Sequence, residues 1–122
     1  MSSKLVILLS GYGSNAQAII DAIASGNLTN TSICLVVSNR KDAFGLERAR
    51  LSGLNTAYLN LVPYGKRYPD PDPTVKYGPA AREAYDADLA EKVLSVKPDM
   101  VVCAGFMHVC CTRPAAAPPR VI

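Results

Sequence analysis

The chain has 122 residues, of which 49% are hydrophobic, which is enough for the core of one small domain. Its net charge is +3 and its basic residues are scattered, which excludes the basic stripe of a nucleic-acid-binding protein and favours a small anionic metabolite as ligand. The four cysteines lack the spacing of a metal site or a disulfide framework, and no apolar run is long enough for a signal peptide or a membrane span. We therefore expect a cytoplasmic protein with reduced thiols, no metal and no nucleic-acid or membrane partner.

The first predicted element is a buried strand that runs into a glycine turn. Leu5 to Leu9 is a continuous apolar run typical of a parallel sheet. Gly11 and Gly13 permit a sharp turn, and Ser14 and Asn15 are of the types favoured at helix N-caps. Because the N–H groups of a first helical turn lack partners, the turn predicts an anion site, most naturally for a phosphate.

The middle of the chain is predicted to form a second strand, a short helix and a third strand, at Ser32 to Ser38, Ala43 to Leu51 and Thr56 to Leu61. Asp42 is the expected N-cap of the helix, and Gly45 weakens that prediction. The second strand should lie beside the first, joined by a right-handed crossover.

A proline-rich segment follows, from Leu61 to Gly78. It contains four prolines and no helical period, so it predicts a long loop insertion that is partly extended as polyproline II. A solvated insertion is favoured, and a lid over a binding site is the alternative, because loops of this length are uncommon in compact domains.

The last predicted helix begins at Pro79 and carries an apolar face and a polar face. The apolar face consists of Tyr85, Leu89, Val93 and Val96, and Glu83, Asp86 and Glu91 lie off it. Asp99 to Ala104 is a fourth buried strand. The sequence thus predicts a nucleotide-binding α/β domain over residues 1–109 and an irregular tail rich in proline and alanine over residues 110–122, in which Val121 and Ile122 hint at one more strand.

Four strands that alternate with helices predict an α/β fold with an open, mainly parallel, Rossmann-like sheet, truncated after the fourth strand. In such sheets ligands bind at the carboxyl ends of the strands. This edge should gather residues 11–15, Asn39 and residues 106–109.

Gly11, Gly13 and Ala16 also fit the dinucleotide pattern G-x-G-x-x-A, and Arg40 could receive the extra phosphate of NADP. An NADP-binding reductase domain is therefore one alternative, and a non-catalytic module that senses a phosphorylated metabolite is another. His108 is the sole histidine, but no carboxylate is near it in sequence, so a surface or backbone-contacting role is preferred over a catalytic base. Arg82 lies in the first turn of the last predicted helix, where a cation is unfavourable to the dipole, so a ligand contact is one alternative. Most such arginines are solvated, and on the residues alone Arg82 is assigned to the surface.

Several segments together resemble the phosphoribosylglycinamide formyltransferase family. They are SGYGSNAQAIIDAI, SNRKDAFGLERAR, REAYDADLAEKV and PDMVVCAGFMHV, which match in order from about Lys4 to Val109. The second of these is far more specific than a glycine pattern. The resemblance implies the amino-terminal formyltransferase fold and an enzyme of purine biosynthesis that transfers a formyl group from 10-formyltetrahydrofolate to glycinamide ribonucleotide.

The resemblance also assigns roles to individual residues. It implies that Gly13, Ser14 and Asn15 bind the substrate phosphate, in agreement with the anion site, and that Arg82 contacts the glutamate tail of the folate. The wall of the folate pocket is implied to contain Met107, His108, Val109 and Cys110. These assignments leave the oligomeric state open.

No catalytic residue is assigned within this sequence. The family uses an Asn-x-His-Pro motif on the next strand and a later aspartate, and neither falls within the 122 residues. We expect a truncated, misspliced or frame-shifted version of the gene, and a chain that is inactive or nearly so by itself, because loss of one oxyanion donor alone costs ~10²–10³ in rate.

Overall fold

The computed structural model describes residues 3–106 and 120–121. Five strands form one sheet in the order β3-β2-β1-β4-β5, and every neighbouring pair is parallel. The strands are β1 (Ser3–Leu9), β2 (Thr31–Ser38), β3 (Thr56–Tyr58), β4 (Met100–Cys103) and β5 (Arg120–Val121). The helices are α1 (Ser14–Ala24), α2 (Phe44–Leu51), α3 (Val62–Arg67) and α4 (Pro79–Leu94). The prediction of an open parallel α/β sheet is confirmed.

β1 lies at the centre of the sheet, and its alternate side chains enter two separate cores. Val6 and Leu8 pack with α4, whereas Ile7 and Leu9 pack with residues of α1 and α2. The apolar run is continuous because helices cover both faces of the strand. The layers are therefore α1 and α2 on one face of the sheet and α3 and α4 on the other.

Some observed strands end at other residues than predicted, because pairing with a neighbouring strand decides where a strand ends. The third strand stops at Tyr58, not at Leu61, because its ladder with β2 ends at the pair Ser38–Tyr58. A fifth strand of two residues, Arg120–Val121, pairs with β4, and it overlaps the position where Val121 and Ile122 hinted at one more strand. Cys103, predicted to be buried, is exposed at the end of β4, beyond the residues that pair with β5.

The prediction that residues 61–78 contain no helix is wrong for Val62–Arg67, which form α3. Pro63 lies in the first turn of this helix. Because the N–H groups of a first turn have no partner inside the helix, the missing N–H of proline costs no helical hydrogen bond there. Tertiary contacts then stabilise a helix too short to persist alone. The ring of Tyr64 packs edge-on against the ring of Tyr85 at a centroid distance of 5.4 Å, and its hydroxyl donates to a carboxylate oxygen of Asp88 in α4.

The contact between α3 and α4 should make stability sensitive to alkaline pH. Partial burial and the hydrogen bond to Asp88 raise the pKa of Tyr64 from 10.0 to about 12. The folded chain then holds the phenol proton more tightly than the unfolded chain does. The stabilisation is therefore complete below pH 10.0 and is lost as the pH rises through about 12.

When ionisation of the tyrosines is followed by absorbance, we expect Tyr64→Phe to have one fewer tyrosine with a raised pKa than the wild type. The Asp88→Asn variant should move the pKa of Tyr64 back toward its usual value, because it removes both the charge and the strong acceptor. Denaturant titrations at a series of alkaline pH values should give a flatter stability profile for Tyr64→Phe than for the wild type. If the two proteins had identical profiles of stability against pH, the Tyr64–Asp88 hydrogen bond would not contribute to the stability of the chain.

α4 also buries a residue that the sequence placed on its polar side. Asp86 is only 3% exposed, beside the fully buried Tyr85. The buried side of α4 is wider than the predicted face, because Asp86 is buried there together with Ala81, Tyr85, Leu89 and Val93. Of the other predicted apolar positions, Leu89 and Val93 are buried as expected, whereas Val96 is half-buried and lies beyond the end of α4.

Candidate functional site

The glycine turn joins β1 to α1 at the carboxyl edge of the sheet. Gly13 is the N-cap of α1, with φ 83° and ψ 23°, and its carbonyl oxygen accepts the N–H of Gln17 at 2.8 Å. Ser14 and Asn15 are therefore the first two helical residues and not the N-cap that their side chains predicted. Glycine takes the cap position because the turn needs a left-handed backbone there.

The first turn of α1 presents N–H groups to the outside. Gly13 is buried, Ser14 and Asn15 are exposed, and no side chain among the described residues caps the helix. These N–H groups have no partner inside the helix, and they lie at the positive end of its dipole. The arrangement suits an anion such as a phosphate.

A cleft of about 220 Å³ adjoins this turn. Its walls come from the turn and from the segment between β2 and α2, and they comprise Ser10, Gly11, Tyr12, Arg40, Asp42, Ala43 and Phe44. Arg40 lies here as the NADP alternative required, but its Nε is 3.6 Å from a carboxylate oxygen of Asp42. A phosphate that approached Arg40 would also meet that negative charge, which does not favour NADP.

The end of β2 contributes a further polar group to the same edge. The buried Ser38 hydroxyl accepts the N–H of Arg40 at 3.0 Å and orders the start of the loop. The side-chain oxygen of Asn39 is buried and has no hydrogen-bond partner within the described part of the chain. Asn39 thus lies at the carboxyl edge, as predicted.

Comparison with known proteins shows the family of this chain. The sequence profile of the family described as formyl transferase matches residues 3–121. The chain belongs to the formyl transferase family. The sequence is 48% identical over 111 residues to the phosphoribosylglycinamide formyltransferase of Schizosaccharomyces pombe, and the match covers 89% of this chain and 49% of that protein. The corresponding enzyme of Escherichia coli is 41% identical over 106 residues, with 87% and 42% covered.

A solved structure supports the same assignment for this formyl transferase chain. Glycinamide ribonucleotide transformylase 1 from Symbiobacterium toebii superposes with a TM-score of 0.72 at 32% identity, covering 91% of this chain and 45% of that one. The predicted resemblance is thus confirmed in sequence and in fold. The chain spans about half the length of the curated relatives it matches.

The structure separates the two groups of predicted site residues in this formyl transferase. The turn of Gly13 belongs to α1 on one face of the sheet, whereas Arg82 is in the first turn of α4 on the other. Both helices run antiparallel to the strands that they connect, so both N-termini lie at the carboxyl edge. Arg82 is half-buried and its Nε donates to the carbonyl of Tyr77 at 3.2 Å, so it is not a simply solvated surface residue.

The remaining predicted residues of the folate pocket, Met107, His108, Val109 and Cys110, lie outside the described residues. The strand that leads to them is in place, since the N–H of Ala104 donates to the carbonyl of Leu8 at 2.8 Å. Within residues 3–106 and 120–121, no three His, Cys, Asp or Glu side chains come together as a metal site. In the same ranges no helix is long and apolar enough to cross a membrane.

Sequence reasoning missed two residues beside the glycine turn of this formyl transferase. Gly45 and Arg48 of α2 both contact the turn. The available signal was Gly45 itself, a residue that is unfavourable inside a helix and therefore points to a close backbone approach.

Proposed function

We propose that this chain forms the substrate-binding half of a phosphoribosylglycinamide formyltransferase, and that Gly13, Ser14 and Asn15 bind the phosphate of glycinamide ribonucleotide. The observation that carries the proposal is the exposed first turn of α1, whose N–H groups have no partner inside the helix and lie at the carboxyl edge of a parallel sheet. The names of the related enzymes support the choice of ligand. The protein would act in purine biosynthesis and in the cytoplasm.

The formyl donor in this proposal is 10-formyltetrahydrofolate. Arg82 would contact the glutamate tail of the folate, and Met107, His108, Val109 and Cys110 would line its pocket. The bond between Arg82 Nε and the Tyr77 carbonyl supports this role, because it holds the guanidinium while its two Nη groups have no hydrogen-bond partner among the described residues. No catalytic role is proposed for a residue of this chain, so the decisive measurement is binding and not turnover.

Calorimetric titration with glycinamide ribonucleotide tests the phosphate site most directly. Ser14→Asp puts a carboxylate at the proposed phosphate position, and we expect it to lower the affinity at least about tenfold by charge repulsion. The same substitution should not destabilise the fold, because a negative charge at a helix N-terminus contributes about 0.3–1 kcal/mol of stability. A loss of binding with retained stability therefore separates the site from the fold.

Ser14→Asn is the matched control, since it changes the side chain at the same exposed position without adding charge. It should bind within a few-fold of the wild type, and NADP should not bind to any of the three proteins. Wild-type affinity in Ser14→Asp would place the phosphate elsewhere. Binding of NADP alone would replace the proposal with the nicotinamide alternative.

A further inference from the structure

We propose that Gly45 and Arg48 of α2, together called the α2 clamp, are positioning residues that hold the glycine turn in its anion-binding conformation. They belong to SNRKDAFGLERAR, a segment far more specific than a glycine pattern, and the proposed function uses no residue of this segment. The inference rests on the proposed function only for the identity of the anion. The contacts that support it are made entirely between described residues.

The first contact is between two backbones. The N–H of Gly45 donates to the carbonyl of Gly11 at 3.0 Å, so the N-terminus of α2 is bonded directly to the turn. A Cβ on Gly13 would lie 2.5 Å from the Cα of Gly45, and a Cβ on Gly45 would lie 2.7 Å from the methyl groups of Leu9. The approach therefore requires glycine at position 13, and a side chain at position 45 would also crowd the Cα of Gly13 at 3.2 Å, which explains why α2 contains an unfavourable helix residue.

The second contact is made by the guanidinium of Arg48. Its Nε donates to the carbonyl of Tyr12 at 2.9 Å, and its Nη1 donates to the side-chain oxygen of Gln17 at 3.3 Å. One planar group thus ties the middle of the turn to α1. Lysine has a charge but no rigid fork of donors and cannot make both bonds in this geometry.

The third contact covers the same guanidinium with aromatic rings. The Cζ of Arg48 lies 4.5 Å from the ring centroid of Tyr12 and 5.0 Å from that of Phe44, and the two rings stack at 5.0 Å. Tyr12 is 65% exposed and Phe44 is 45% exposed, so core packing does not explain their arrangement. The rings attract the cation and restrict its access to water, which strengthens its hydrogen bonds to the turn.

These contacts fix the backbone between Gly11 and Gly13 by its carbonyls and by the side chain of Tyr12. Ser14 and Asn15 come directly after Gly13 in the chain. The direction of their N–H groups therefore depends on the backbone conformation of the turn. Arg48 acts through the turn, because its Nε and Nη1 donate to the Tyr12 carbonyl and to the Gln17 side chain. Loss of the clamp should lower the fraction of molecules whose turn can bind an anion, and the apparent affinity falls in the same proportion.

The test uses the full 122-residue chain with Arg48→Lys, and Arg50→Lys as the matched control. Arg50 is on the same helix but pairs with Glu47 at 3.6 Å on the surface, away from the turn. Amide relaxation without ligand should show order parameters for residues 11–13 falling from about 0.85 to below about 0.6 in Arg48→Lys only. Exchange of the Gly45 N–H should accelerate, while α4 stays unchanged.

Titration with inorganic phosphate and with glycinamide ribonucleotide completes the experiment. We expect about tenfold weaker binding of both ligands to Arg48→Lys and unchanged binding to Arg50→Lys. An ordered turn in Arg48→Lys, or loosening that extends equally to α4, would overturn the clamp. A turn that loosens in a chain whose wild type binds neither ligand would uphold the clamp and refute the proposed phosphate site.

Discussion

Replacing Gly13 with alanine is expected to destabilise the chain by roughly 3 kcal/mol and to lower the affinity for glycinamide ribonucleotide at least about tenfold. Two costs combine at this position. A left-handed φ of 83° costs any residue with a Cβ about 1–2 kcal/mol, and a Cβ placed 2.5 Å from the Cα of Gly45 forces the turn and α2 apart at a further cost of ~1–3 kcal/mol. The neighbour is backbone, so no rotamer change relieves the contact.

Gly11→Ala is the control for this prediction. Gly11 is in the same turn, but a Cβ added there meets no atom within 4 Å among the described residues, and its φ is outside the left-handed region. Urea denaturation should therefore show a small change for Gly11→Ala and a large one for Gly13→Ala. Similar midpoints for the two variants would mean that the turn adapts to a side chain at position 13.

Tyr85→Ala should lower the free energy of unfolding by about 3–5 kcal/mol, the range for removing a large buried aromatic side chain. Tyr85 is fully buried at the centre of the core between the sheet and α4. Its hydroxyl also donates to the carbonyl of Leu59 at 2.7 Å, and its ring supports Tyr64 of α3. The substitution thus removes packing from α4, α3 and the end of β3 together.

Tyr85→Phe separates the hydrogen bond from the packing. We expect a cost of about 1–3 kcal/mol, because the Leu59 carbonyl loses its donor while the ring stays in place. Tyr58→Ala is a suitable control, since Tyr58 is 40% exposed at the end of β3. A loss in Tyr85→Ala no larger than in Tyr58→Ala would contradict the position of α4 on the sheet.

Much of the fold follows from local patterns in the sequence. The apolar runs at β1 and β2 predicted parallel strands in contact, and the ladder between Ser3–Leu9 and Thr31–Ser38 confirms them. Such strands can be recognised in the sequence because helices cover both faces of a parallel sheet. Every position of the strand is then buried, and the run of apolar residues is continuous. The four segments that resemble formyltransferases likewise require no knowledge of distant contacts, and the family match confirms the resemblance.

Other features depended on contacts between residues far apart in sequence. The proline-rich segment contains α3 because α4 supplies Tyr85 and Asp88 as partners for Tyr64, and no pattern within the segment itself indicates them. The charge of Asp86 alone predicts an exposed side chain. Asp86 is nevertheless buried, because its side of α4 packs against the rest of the fold. Propensity describes a residue in water, and packing overrides it wherever the neighbours compensate.

The site divides in the same way. The sequence by itself determined that a glycine turn that opens a helix follows β1, because glycines and a helix start at fixed spacing are local features. Only the tertiary structure decided that Gly13 caps the helix and that Gly45 and Arg48 hold the turn, with Arg48 bonded to a carbonyl 36 positions earlier in the chain. The physical reason is that a backbone-to-backbone approach and a fork of hydrogen bonds are set by the relative placement of α1 and α2, which the packing of both helices on one face of the sheet determines.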